Sequence, residues 1–381
     1  MKTVLKAFKF RLYPKKNQEE LINKTIGCAR FVANFVMAQQ KREEDVWSET
    51  NKLVQSGILI ENNYKSTFFK KNVAIKDIPL LKKYYVWLKE VDSIALQAAV
   101  ENVGDAYSRF YDKVAKKPKF KSKKNPVQSY TTKCVNRNIE VLDKHIKLPK
   151  LGLVRYVNSK KVDGKLKKAT IRRNPSGKYY ISLLVETTVG ELPKTNSSVG
   201  IDVGLKHFAI LSDGVIYSNP KFFRSIEEKL AKAQRILSRR TEGSSNWYKQ
   251  KIKVARIHEM VTNARKDYLN KISTEIIKNH DMIGLEDLKV ANMVRNHNLA
   301  KAITEVSWYE FRRMLEYKVE WYGKQVIAVD PKRTSQRCNS CGHTEKENRK
   351  SQSSFVCIKC GHTDNADINA SKNIKELALA I

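Results

Sequence analysis

Four cysteines constrain this chain more tightly than any other feature. Cys338 and Cys341, then Cys357 and Cys360, stand in a C-x2-C-x15-C-x2-C spacing, which reads as a tetrahedral zinc site of four thiolates. The two knuckles are near-repeats, CNSCGHTE and CIKCGHTD, as expected for the halves of a zinc ribbon. The glycine after each second cysteine permits the tight turn such a knuckle needs. His343 and His362 are the competing ligands, but four thiolates already complete the shell, so the site reads as structural and closed. Cys28 and Cys134 stand apart and read as reduced, structural thiols.

A second set of residues is acidic and sits in strand-like sequence. In Ser198–Val203 the apolar side chains of Val199, Ile201 and Val203 share one face, so Asp202 points to the other. Its same-face neighbours are Gly200 and Gly204, which predicts a clearing around the carboxylate that a cation and a phosphate backbone can enter. Glu286 repeats the device, with Gly284 two residues before it. A third acid comes from DNADINASKNI, where Asp367 precedes a helix whose Ile374, Leu377, Ala378 and Ile381 follow helical spacing. Most aspartates so placed cap the helix, and Asp364 is the rival for the chemical role. Asp367 is preferred because a position beside the helix start can aim it at the sheet. One carboxylate at a strand end is usually a solvated charge, and only the set of three points to chemistry. Mg²⁺ and Mn²⁺ are hard cations that take oxygen ligands and bind phosphates alongside one or two carboxylates. Two such ions about 3.5–4 Å apart can activate an attacking water and stabilise a leaving 3′ oxygen.

Around these motifs the chain falls into distinct stretches. Phe8, Phe10 and Leu12 alternate with Lys9 and Arg11 in an opening strand that Pro14 stops. Helical spacing begins at Asn17, with Leu21, Cys28, Val32 and Phe35, and is clearest over residues 93–111. Residues 51–78 carry no clear period. Short β-like runs follow at 139–142, 145–148, 153–157, 168–173 and 179–186, separated by turn signals. They predict a small antiparallel barrel or sheet, which the opening strand can join, with residues 17–111 inserted as a helical domain. After a linker over 188–197 come three strands, two charged helices filling 224–280, the strand MIGLEDL, a helix around Thr304–Trp321, a strand over Gln325–Val329, the cysteines and a closing helix. That order suits an RNase H-like α/β fold.

Charge narrows the partner. Lys and Arg number 73 against 39 acidic residues in 381, a net +34, and such an excess repels itself unless a polyanion offsets it. The basic residues are spread through every segment, unlike the single basic amphipathic helix of a membrane-surface protein. No apolar stretch approaches the roughly 20 residues of a membrane span, and Met1–Tyr13 lacks the apolar core of a signal peptide. A cytoplasmic protein working along a long nucleic-acid channel is expected. The run KKPKFKSKK places Lys116, Lys117, Lys119, Lys121, Lys123 and Lys124 together as candidate phosphate contacts, although such runs also serve as solvated linkers. Arg11, Arg172 and Arg173 are the other candidates for nucleic-acid binding.

The segments GIDVGLKHFAILSDG, IGLEDLK and TSQRCNSCG…CIKCGHTDNADINASKNI resemble the three RuvC motifs and zinc ribbon of the transposon-encoded TnpB proteins. NARKDYLNKIST is similar to the helix before the family's second motif, and FKFRLYPKKNQEELINKTIGCARFVANF and PKFKSKKN to its opening and basic run. The likeness covers nearly the whole chain, and TnpB proteins are themselves related to type V CRISPR effectors. It implies a multidomain α+β protein. A wedge-like β-barrel (1–16 and 112–190) would be interrupted by a helical recognition domain (17–111). A RuvC-like nuclease domain (191–336 and 362–381) would carry the ribbon (337–361). It further implies an RNA-guided, metal-dependent DNA endonuclease active in transposition. Such a protein would act as a monomer with one guide RNA from the transposon end, and its double-stranded target would carry a short adjacent motif. Asp202, Glu286 and Asp367 would hold Mg²⁺ or Mn²⁺, and the four cysteines one Zn²⁺. One position departs from the family pattern: Arg333 precedes Thr334-Ser335-Gln336 where an aromatic residue is expected.

Three other functions compete. A guide-dependent DNA-binding regulator without cleavage would be expected to lose at least one of the acids. An RNA-independent RNase H-fold resolvase or transposase does not need the helical insertion. A zinc-ribbon transcription factor leaves the acid–glycine strands unexplained.

Overall fold

The computed structural model describes residues 2–61, 68–222, 224–351 and 353–381. It divides into two compact units, Leu5–Thr187 and Thr188–Ile381, the latter joined by the first residues of the chain. Part of the stretch without a clear period, residues 62–67, lies outside the described residues.

The first unit begins with β1 (Lys2–Tyr13) and the 40-residue α1 (Lys16–Gln55), followed by α2 (Lys71–Lys76), α3 (Ile78–Tyr84) and α4 (Ser93–Tyr111). The strands β2 (Gln128–Lys133), β3 (Glu140–Val141), β4 (His145–Leu148), β5 (Gly152–Tyr156), β6 (Lys165–Arg173) and β7 (Tyr179–Val189) complete it. The helix read at 93–111 appears with those bounds, started by Asp92, whose carboxylate accepts from the Ile94 amide. The alternation in the opening strand does what it predicts: Phe10 and Leu12 are buried. They enter one core with Ile22, Val32 and Val36 of α1, Leu96, Val100 and Val103 of α4, and Ile171 and Leu183 of the sheet. Each such fully buried aliphatic side chain contributes about 1.5–3 kcal/mol, so helices and sheet of this unit are held by a common core.

The sheet order is β2-β6-β7-β1-β5-β4-β3. It is a linear order ending at β2 and β3, so among the described residues the sheet is open where a closed barrel was expected. Two features explain this. β3 has only two residues to offer a partner, and the buried side of β2 packs against α1 and α4. β2 itself, Gln-Ser-Tyr-Thr-Thr-Lys, escaped the sequence reading because its inward residues include Gln128 and Thr132 beside Tyr130.

The second unit is built on β8 (Ser198–Val203), β9 (His207–Leu211) and β10 (Ile216–Ser218), then α5 (Glu227–Ser238), α6 (Ser245–Asn279), β11 (Met282–Glu286), α7 (Val290–Met293), α8 (His297–Val306), α9 (Trp308–Tyr322) and β12 (Gln325–Val329). The small β13 (Ser354–Val356) and β14 (Thr363–Asn365) precede the closing α10 (Ala366–Leu379). The five-stranded sheet runs β10-β9-β8-β11-β12, with β8, β11 and β12 parallel and β9 antiparallel to β8. Strand alternation gives its two faces separate duties. Val199, Ile201, Ile283 and Leu285 pack against Leu269, Ile272 and Ile276 of α6 and Phe311 and Leu315 of α9. The even-numbered residues of the same strands face α10. The helix expected around Thr304–Trp321 is in fact two, because Ser307 adopts a left-handed conformation (φ 61°) between α8 and α9. No helix among the described residues is long and apolar enough to cross a membrane.

Candidate active site and metal centre

The glycines near the acids serve a different purpose from the one their spacing implies. Gly200 and Gly284 are register partners on β8 and β11, and α10 lies directly on both. A Cβ on Gly200 would come 2.0 Å from the Ser371 carbonyl oxygen and 2.5 Å from the Lys375 amide nitrogen. One on Gly284 would come 2.8 Å from the Ala378 Cβ. The expected open clearing is therefore a seat for a helix at these two positions. That close approach brings the first turn of α10 over the ends of the strands that carry Asp202 and Glu286.

The three predicted acids consequently line one cavity of about 340 Å³, together with Thr334, Ser335, Lys206 and Arg349. Asp367 is not the helix cap. Asn365 caps α10, its side-chain oxygen accepting from the Asp367 and Ile368 amides at 3.0 and 3.3 Å. The Asp367 carboxylate instead meets the Arg349 guanidinium at 3.0 Å. The rival, Asp364, is tied to Lys372 at 2.7 Å and does not line the cavity.

Electrostatics mark the cavity as short of positive charge. Burial first, then the nearby charges of Glu286 and Asp367, push the Asp202 carboxyl up to about 8, against the opposing pull of Arg349 and the Val203 amide. Burial also raises Glu286, while a hydrogen bond donated by the Thr334 hydroxyl and the charge of Arg349 work the other way. Crowded carboxylates that resist ionising together are relieved by a cation with an appetite for oxygen, so the chemistry of these donors suits a divalent ion, while among the described residues only the four cysteines bring their ligand atoms within 4.8 Å of one another.

Thr334, Arg349, Asn369 and Asn373 were missed in the sequence. Asn369 and Asn373 are fully buried in α10. Their side-chain amides donate to the Arg337 carbonyl at 2.8 and 2.6 Å, and Asn373 also to that of Thr334 at 2.9 Å. These bonds anchor the helix to the segment entering the cysteine region. The available signal was two asparagines at i and i+4 beside the apolar stripe. Arg333 is exposed at φ 66°, so a turn residue occupies the position where an aromatic was expected.

The four cysteines converge as their spacing predicts. Their sulfurs all lie within 4.8 Å of one another, with Cys338–Cys360 at 3.8 Å and Cys341–Cys357 at 3.6 Å. A tetrahedron with Zn–S bonds of about 2.3 Å has edges of about 3.8 Å, so the cluster fits zinc. Both knuckles share one backbone pattern. The Cys338 and Cys357 amides donate to the carbonyls of His343 and His362, and the Gly342 and Gly361 amides donate back to Cys338 and Cys357. Gly342 and Gly361 have φ of 74° and 70°, a conformation that favours glycine. His343 and His362 thus serve the turns through their backbones and are outside the sulfur cluster.

The basic candidates are scattered by comparison. The run over residues 116–124 is mostly exposed and lies outside helices and strands. Asn34 pins it by accepting from the Lys121 amide at 2.8 Å and donating to its carbonyl at 2.9 Å. Lys117 pairs with Glu44, whereas Lys116, Lys119, Lys121, Lys123 and Lys124 are exposed. Arg173 donates to the Asn23 side chain at 2.8 Å, Arg11 lies over the rings of Tyr13 and Tyr180, and Arg172 is exposed. Cys28 is buried and Cys134 partly so, both as free thiols.

Comparison with known proteins gives matches over the whole chain. A family described as "Probable transposase" matches residues 181–297, a "Cas12f1-like, TNB domain" matches 308–374, and a "Helix-turn-helix domain" matches 1–44. In this protein that last segment is a strand and the start of one long helix. A protein of Escherichia coli K12 named "Putative RNA-guided DNA endonuclease InsQ" is 38% identical over 97% of this chain and 91% of its own length. A "Putative RNA-guided DNA endonuclease" of Streptomyces pristinaespiralis is 33% identical over 100% of this chain and 91% of its own. Among solved structures, the Cas12f1 chain in a complex with sgRNA and target DNA superposes with a TM-score of 0.53. It covers 98% of this chain and 99% of its own at 13% identity, a likeness of fold.

Proposed function

Because the chain belongs to the TnpB family of RNA-guided DNA endonucleases, we propose that it cuts guide-matched DNA at one RuvC-type site formed by Asp202, Glu286 and Asp367. The observation that carries this reading is their convergence in one cavity from two adjacent strand ends and the first turn of a helix. The three carboxylates would hold divalent metal, Mg²⁺ or Mn²⁺, which would supply an activated water and a counter-charge for the leaving 3′ oxygen. Thr334 orients Glu286 through its hydroxyl, and Arg349 holds Asp367 in place. The element order of the sheet unit supports the RNase H-like assignment of residues 191–336 and 362–381, with the ribbon at 337–361 holding one structural Zn²⁺.

The rest of the chain would serve the guide. In RNA-guided recognition, base pairing reads the long sequence while protein reads a short adjacent motif and grips the backbone. Residues 1–16 and 112–190, with the helical stretch 17–111, would hold an RNA from the transposon end, one RNA to one protein. The exposed lysines of 116–124 would touch phosphates whatever the base sequence. The test is three tubes with the same protein in Mg²⁺: its own RNA, a reprogrammed RNA, and none. Cleavage that moves with the guide, provided the adjacent motif is kept, is the expected result. Efficient sequence-specific cutting without RNA would overturn the reading in favour of a resolvase.

A further inference from the structure

Two cations line the acidic cavity beside its three carboxylates, and they are used differently. Arg349 is bound to Asp367 at 3.0 Å. Lys206 is exposed and, among the described residues, makes no ion pair and no side-chain hydrogen bond. A lysine placed only to balance the acids would pair with one of them, as Arg349 does. Its ammonium is instead available to an anion that enters the cavity from outside.

The turn that carries Lys206 is firmly built. It joins β8 to β9 just after Asp202 and is closed by the Gly204 amide, which donates to the Phe208 carbonyl at 3.3 Å. Leu205 packs against the core shared with α6 and α9, and its carbonyl accepts from the Asn219 side chain at 2.9 Å. A second cationic turn follows β12. Its Pro331 and Thr334, with Ser335, line the same cavity, and Lys332 and Arg333 between them are exposed. Among the described residues neither of these two side chains has an ion pair or hydrogen bond. The backbone around them is tied down at every step. The Asp330 carboxylate accepts from the Lys332 amide at 3.0 Å, and the Gln336 and Arg337 amides donate to the Arg333 carbonyl at 3.0 and 3.1 Å. The Thr334 hydroxyl donates to Glu286. Arg333 stands at φ 66°, uncommon outside glycine, asparagine and aspartate, and backbone held in such a conformation is concentrated at functional sites. One cationic turn thus grows out of the strand of Asp202, and the other is bonded to Glu286.

We propose that these two turns grip the phosphates on either side of the scissile phosphodiester in the DNA strand being cut, Lys206 on one flank and Lys332 with Arg333 on the other. The proposal rests on the nuclease reading of Asp202, Glu286 and Asp367. A polyanionic strand has to approach three carboxylates that repel it, and cations at the edges of the cavity offset that repulsion. Because each turn is fixed to an element that bears an acid, a phosphate held by the turn sets the neighbouring one against the carboxylates. Lysine and arginine meet phosphate oxygens whatever the base, so the clamp positions the strand without reading its sequence. Arg333, which departs from the family pattern, supplies one of these cations in place of an aromatic ring.

The experiment uses the protein with its own RNA in Mg²⁺. The cut strand carries one uncharged methylphosphonate, moved one linkage at a time around the mapped cut, with the scissile linkage left unmodified. Cleavage should slow when the neutral linkage lies close to the cut on either flank and be unchanged farther out. Lys206→Ala should slow cleavage of the unmodified strand by about five- to a hundredfold, the span between an exposed ion pair and a hydrogen bond to a charged group. Lys206→Arg should restore most of that rate. In Lys206→Ala the neutral linkage on one flank should cost nothing further, while the other flank keeps its full effect. A variant carrying Lys332→Ala and Arg333→Ala together should show the reverse. The scan on the unmodified protein decides the matter even where a variant folds poorly: a flat scan overturns the proposal. So do variants that cut at the parent rate, or that slow unmodified and neutral strands by one factor at every position. Failure of the unmodified protein to cut the unmodified strand would instead bring down the nuclease reading, and the clamp with it.

Discussion

The cysteine cluster and the carboxylate cluster both gather candidate metal ligands, but they are assembled by opposite means. Each knuckle of the first is closed by its own backbone: an amide from Cys338 or Cys357 reaches a carbonyl five residues on, and a left-handed glycine completes the turn. The second is drawn from β8, β11 and α10, and its geometry depends on two glycines that let a helix lie flat on a sheet. A locally built cluster tolerates change elsewhere in the chain. A globally built one inherits the errors of every element that supports it. The two also touch in one direction, since Asn369 and Asn373 tie α10 to residues 334–337 at the entrance to the ribbon.

The largest expected effect lies in the carboxylates. Asp202→Ala should abolish cleavage while guide-dependent target binding survives, because the role proposed for the carboxylate is to hold metal and not the heteroduplex. Glu286→Gln and Asp367→Ala should match it, chelation should mimic all three, and Asp364→Ala should still cut. Should Asp364→Ala abolish cleavage and Asp367→Ala not, the third ligand moves by three residues. None of these variants should release zinc.

Cys338→Ser tests the reverse dependence. The unmodified protein should contain about one zinc per chain, and structural zinc is worth about 10–16 kcal/mol in isolated fingers. The variant should lose its zinc, become sensitive to proteolysis after about residue 330, and also cut less, because α10 loses its anchor. Full cleavage by a zinc-free variant would show the two clusters to be independent.

Gly200→Ala is smaller and sharper. It changes no ligand, yet its methyl would overlap the Ser371 carbonyl. Overpacking of this kind typically costs about 1–3 kcal/mol, read as a lower denaturation midpoint. Cleavage should fall with it as Asp367 is displaced. A fully active, stable Gly200→Ala would mean that α10 does not need its seat.

The effect with the least bearing on cleavage is a pH dependence of the stability of the metal-free protein. Asp202 is raised in the folded state to about 8, against about 4 in an unfolded chain. The folded form therefore binds more protons between those values. Stability from this group is complete below about pH 4 and is lost as pH rises through about 8. The melting temperature in chelator should fall across that window, and Asp202→Asn should flatten the fall. Divalent metal should raise the melting temperature more at pH 8 than at pH 6. An identical slope in Asp202→Asn would remove the carboxylate crowding from the account.

Much of this was legible in the chain because the signals were local. The i, i+2 alternation in Ser198–Val203 and around Glu286 put both acids on the polar side of their strands, and the cysteine spacing alone implied the sulfur cluster. Other features were hidden where the governing contact was distant. β2 reads as polar because Gln128 and Thr132 turn inward against helices far along the chain. The helix break at Ser307 has no glycine or proline to announce it, being fixed by Arg265 from α6. Arg349 lies among the charged residues of the ribbon, and nothing in its neighbours says that it reaches Asp367.

What the sequence determined by itself was therefore the inventory: which acids point away from the apolar face, which cysteines converge, and where most of the strands and helices lie. Those properties follow from periods of two and 3.6 residues and from short closed turns. The tertiary structure alone decided that Gly200 and Gly284 form one seat, that Asn365 rather than Asp367 caps α10, and that the turns after β8 and β12 border one cavity. Each of these depends on a distance between elements, and packing at van der Waals contact fixes such distances only once both surfaces are in place.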